Sequence, residues 1–98
     1  MSAEAYSRAH RTFLEKHNPR MFRDLEASGE LEDHLKEVGE SAMAMFDQMS
    51  EQMAISIVTK PWVGEKAQRE KLQRLEAIPL MVEEVVMHEL INQPLPSG

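Results

Sequence analysis

Apolar residues in this chain recur three and four positions apart over long stretches, the spacing that lines one face of a helix. In the first stretch, Tyr6, Ala9, Phe13 and Leu14 share a stripe within Ala3 to His17, and Ser2 is placed to cap its start. Asn18-Pro19 then ends that helix and opens another. Proline disfavours helical geometry at the residue before it yet fits a first helical turn, and Asn is a good cap. A short helix carrying Met21, Phe22 and Leu25 follows, closed by Ser28-Gly29.

From Glu30 to about Thr59 the row Leu31, Leu35, Val38, Ala42, Met45, Met49 and Gln52 advances by alternating steps of four and three, like a coiled-coil seam. Met43, Phe46, Met53 and Ile57 make a second stripe beside it, so this helix is expected to be covered on two sides. Gly39 reads as a weak point within it, costing about 1 kcal/mol relative to Ala. Lys60-Pro61-Trp62-Val63-Gly64 is the clearest break in the chain. Beyond it, Leu72, Leu75, Pro79, Val82, Val86 and Leu90 define a last long helix over 65–92, with a kink expected near Ala77-Ile78 ahead of Pro79. Residues 93–98, with two prolines, read as a tail.

These elements predict an all-α fold in one domain, 1–98: two short helices over about 3–28, then long helices over 30–59 and 65–92 as an antiparallel hairpin. Rods of roughly 40 Å, at about 1.5 Å per residue, expose more apolar surface than two short helices cover. A dimeric bundle is therefore expected.

Composition narrows the function. Of 98 residues only five are aromatic while eight are Met, which suits helix-on-helix packing. The absence of Cys excludes disulfides, thiolate metal sites and a thiol nucleophile. No apolar run approaches a membrane span, and the charges mixed through Ser2 to His17 do not read as a signal peptide, so a cytoplasmic protein is expected. The net charge of −6 argues against a protein that simply coats DNA. It is distributed in blocks: +3 over residues 1–23, −8 over 24–57, +3 over 58–75 and −4 over 76–98.

Catalytic patterns are missing. A di-iron bundle wants Glu three residues before His, but those positions before His10, His17, His34 and His88 are Ser7, Leu14, Leu31 and Val85. His88-Glu89 begins like a zinc-protease helix, but the second His is replaced by Asn92. Glu30 with His34, and Glu84 with His88, sit one turn apart and read as surface pairs rather than metal ligands. Neither a nucleophile elbow nor a Gly-rich phosphate loop is present. No metal, no cofactor and no enzymatic activity are expected.

Three features suit binding. Arg8, Arg11, Arg20 and Arg23, with Arg69 and Arg74 further on, could grip phosphates or face the acidic blocks of neighbouring helices. The acidic set Glu30, Glu32, Asp33, Glu37 and Glu40 could fill a basic nucleic-acid groove on a protein partner, or simply be a solvated face. Trp62, in a loop near several Met residues, could anchor a partner, whereas the Met residues themselves read as core.

The run Phe13-Leu14-Glu15-Lys16-His17, then Leu25, Ser28-Gly29-Glu30-Leu31 and His34-Leu35, resembles the small transposon-encoded TnpV-type proteins, which carry a similar progression. The likeness continues through Met45-Phe46-Asp47, Gln52-Met53-Ala54, Glu84-Val85-Val86 and Glu89-Leu90-Ile91, covering about residues 13–91. Two departures stand out: the connector Ser56 to Trp62 replaces a more polar segment, and Leu75 to Met81 is apolar where the family's last helix starts Asn- and Arg-rich. The resemblance implies carriage on a transposon, plasmid or phage and an accessory role, and it carries over no catalytic residue. The leading expectation is a protein-binding module of a mobile element that inhibits host defence or nucleic-acid machinery; the alternative is an accessory DNA-binding factor for recombination or excision.

Overall fold

A computed structural model describes residues 1–92; the expected tail at 93–98 lies outside the described residues. Helices α1 (Ala3–His17), α2 (Pro19–Ser28), α3 (Leu31–Val58) and α4 (Glu65–Val86) follow in order, with a closing π turn at Met87–Ile91. The fold is all-α.

Local chemistry sets the boundaries. Ser2 Oγ accepts from the Ala5 amide at 3.1 Å, and Asn18 Oδ1 accepts from the Met21 amide at 3.4 Å with Pro19 in the first turn of α2. Gly29, at φ 79°, ends α2 in the left-handed conformation that glycine adopts without strain, and the Glu30 amide reaches back to the Leu25 carbonyl at 2.9 Å.

Helix α1 lies along the first half of α3, running the opposite way. Gly39 makes this approach possible. A Cβ there would collide with Ser7 Oγ and the Ala3 carbonyl oxygen, so the residue read as a weak point is where two backbones meet. Helix α4 folds back along α3, and its far end reaches α1 through the π turn. The base of the molecule is thus three helices thick, with α2 laid across its end.

Two apolar clusters fill the base. Tyr6, Ala42, Ile78, Val82, Val86 and Ile91 form one, and Leu14, Leu31 and Leu35 form the other under Phe13, Met21, Phe22 and Leu25. Away from the base, α3 and α4 continue as a two-helix arm. Gln52 and Leu72 of the predicted rows are exposed there, because no third helix reaches them.

The seam of α4 differs from its expected register. Helix α4 runs through Pro79, whose ring points to solvent, while Ile78 takes the core position. Ile78, Val82 and Val86 step by four. A further step of four would bury Leu90, but the π turn adds a residue and buries Ile91 instead. The helix expected over 65–92 is therefore an α-helix to Val86 followed by a wider turn. No helix among the described residues is long and apolar enough to cross a membrane.

Candidate functional site

Three places carry polar groups in unusual settings. The first is internal. His10, buried on α1, reaches the Ile91 carbonyl through Nδ1 at 2.9 Å and the Nε2 of His34 through its own Nε2 at 3.1 Å. A carbonyl only accepts, so Nδ1 of His10 carries the hydrogen; its Nε2 then accepts, and His34 donates. Burial pushes the His10 pKa below its ordinary value and the neighbouring His34 adds to this, although the Ile91 carbonyl opposes it. Phe13 stacks on His10 with ring centroids 6.2 Å apart. The three-group chain ties α1, α3 and the π turn together. His34 is thus engaged with His10 and opens on a cleft of about 220 Å³ shared with Glu37, Ser41 and Leu90. Nearby, the buried Tyr6 hydroxyl has no hydrogen-bond partner among the described residues, and burial raises its pKa, with Glu83 and Asp47 adding to the effect.

The second place is an open cleft of about 510 Å³ between α1 and α3, lined by Glu4, Arg8 and Arg11 on one wall and Glu32, Lys36 and Glu40 on the other. Both signs of charge meet there. Arg11 is already held by Glu15 at 3.1 Å and lies over the Phe22 ring at 5.7 Å.

The third is the outer face of α3. Asp33, Glu37, Glu40 and Glu51 are exposed and fall on one side of the helix, with Asp47 at its edge. From Asp33 to Glu51 the row runs about 27 Å at 1.5 Å per residue. None of these carboxylates has an ion-pair partner among the described residues.

The predicted acidic set is divided. Asp33 and Glu37 lie on the outer face and Glu40 borders both that face and the cleft, whereas Glu32 lines the cleft opposite Arg8 and Arg11, and Glu30 sits at the α2–α3 junction, where Ser28 Oγ donates to it at 3.2 Å. Asp47 and Glu51 join the row instead; their heptad-like offset from Glu40 was the available signal. The basic residues are not gathered either. Arg8, Arg11, Arg20 and Arg23 lie on the base, while Arg69 and Arg74 are on the arm, Arg74 paired with Glu70 at 3.0 Å. Trp62 faces inward to its own loop: its indole N–H donates to the Ile57 carbonyl at 2.6 Å, its carbonyl accepts from Gln68, and the Arg74 guanidinium stacks 5.6 Å from the ring. The indole thereby serves the exposed end of α3.

The sequence contained no spacing that would pair His10 with His34, since the two are joined only by the crossing of α1 and α3.

A small helical protein with a mixed-charge cleft and a long acidic face is the class these features define. The family model for the transposon-encoded protein TnpV matches residues 2–91, and the chain belongs to that family. No curated relative and no solved structure matches it.

Proposed function

We propose that this chain is a non-enzymatic, cytoplasmic accessory protein of a mobile genetic element that binds a protein partner through the outer face of α3. The supporting observation is the row Asp33, Glu37, Glu40 and Glu51, exposed and without ion-pair partners among the described residues. A row of carboxylates on a rigid helix resembles a line of phosphates, so a basic groove of a nucleic-acid-binding or host-defence protein is the surface it complements. Occupying that groove would inhibit the partner. Like-signed charge along one face also speeds association with an oppositely charged surface, by about tenfold or more at low salt.

The DNA-binding reading has less support. Its arginines are divided between base and arm, two are held in ion pairs, and those beside the cleft share it with Glu4, Glu32 and Glu40.

Affinity capture from a host lysate tests the proposal. A basic protein should be retained by the wild-type chain, released by salt, and lost with Glu37→Lys/Glu40→Lys. Retention of the same protein by both chains would refute it, as would capture of nucleic acid alone.

A further inference from the structure

The arm is unfinished. Beyond Ala42 in α3 and before Ile78 in α4 no residue is fully buried; Met43, Met45, Phe46, Met49, Met53 and Ile57 are half-buried and pack against the larger apolar cluster. Leu72, on the side that α1 covers lower down, is 56% exposed. The molecule is correspondingly long, 60 × 23 × 19 Å, with a radius of gyration of 17.6 Å. A compact domain of this length has about 13 Å.

The bare face continues the side that α1 covers at the base. Steps of four and three up α3 from Gly39 give Met43, Phe46, Ser50, Met53 and Ile57; steps down α4 from Glu83, which the N-terminal amine approaches to 4.0 Å, give Pro79, Glu76 and Leu72. Helix α1 occupies the lower part of this groove and stops. In the upper part Met53, Ile57 and Leu72 flank Ser50 and Glu76, and no third helix covers them among the described residues.

We infer that a second copy of this chain covers it, the two arms lying antiparallel about a two-fold axis that passes near Met53 and Leu72. The charges beside the groove match such an axis. Asp47 lies six residues to one side of Met53 and Lys60 seven to the other; Arg69 and Glu76 lie three and four residues either side of Leu72. Rotation brings Lys60 of each copy beside Asp47 of the other, and Arg69 beside Glu76. None of these four has an ion-pair partner within the described chain. Such self-complementarity is what a two-fold interface requires, and apolar centres are typical of homodimers. The dimer leaves Asp33, Glu37 and Glu40 free and stands independently of the proposed function.

Sedimentation velocity on the full chain tests it. The wild-type protein should sediment with twice the 11.2 kDa chain mass. Ile57→Glu/Leu72→Glu should give single chains with unchanged helical circular dichroism. A charge exchange keeps the test sound if that variant unfolds. Lys60→Glu/Arg69→Glu and Asp47→Lys/Glu76→Lys should each weaken self-association by tenfold or more (about 1.4 kcal/mol), and mixing the two should restore pairs. Single wild-type chains at about 100 µM, a concentration at which even weak dimers form, would overturn the inference. So would charge-exchanged variants that pair with themselves as tightly as the wild-type chain.

Discussion

The Nε2 atoms of His10 and His34 lie 3.1 Å apart, and the other nitrogen of His10 is bonded to the Ile91 carbonyl. Three segments distant in sequence are joined at one imidazole, and the arrangement holds while His10 is neutral. Protonated, it would carry a charge into an apolar base and require the Nε2 of His34 to turn from donor to acceptor.

A pH dependence follows. The folded-state pKa of His10 lies below the ordinary value of 6.5, so the unfolded chain takes up a proton first as the pH falls. The stability associated with neutral His10 is complete above about 6.5 and declines below it, until the folded protein also protonates. Urea unfolding at successive pH values from 7.5 to 5 should show this decline, and His10→Gln should flatten it. An equally steep decline in the variant would assign the effect to other groups.

Gly39 provides a second test, in which two effects oppose each other. Replacing an interior helical glycine with alanine gains about 1 kcal/mol of helix propensity. Here the added methyl meets Ser7 Oγ and the Ala3 backbone, which cannot swing away like a flexible side chain. Overpacking of this kind costs about 1–3 kcal/mol, so Gly39→Ala should be net destabilising in chemical denaturation. A stabilised variant would mean that α1 does not dock at this point.

The π turn is tested by a pair of truncations. Ile91 is fully buried and Leu90 only partly so. Ile91→Ala should cost about 2–5 kcal/mol, and Leu90→Ala clearly less. The reverse order would indicate that an ordinary α-helix continues past Val86 in place of the π turn.

Helix boundaries were legible because each is set by neighbours in sequence: Ser2, Asn18-Pro19 and Ser28-Gly29 all act within three or four residues. The residues that carry the family resemblance, Leu14, Leu25, Leu31 and Leu35, could also be placed on apolar faces from spacing alone. What spacing could not supply was the relation between helices. Gly39 looks like a defect until α1 is laid against it, and the choice of Ile91 over Leu90 depends on an inserted residue that periodicity does not register. The acidic site was partly legible for the same reason. Asp33, Glu37 and Glu40 share a face by helical geometry, but the turning of Glu32 toward α1 depends on where α1 packs. Trp62 shows the limit most clearly: the pattern places it in a loop but carries no sign of its bond to the end of α3.

The central claim is that the outer face of α3 meets a basic protein surface. Its most direct test is the association rate of the captured partner with wild-type chain and with Glu37→Lys/Glu40→Lys at low and moderate salt. The wild-type rate should fall steeply with salt, while the variant should associate more slowly, by about tenfold or more, at low salt. Equal rates for the two chains, with little salt dependence, would contradict it.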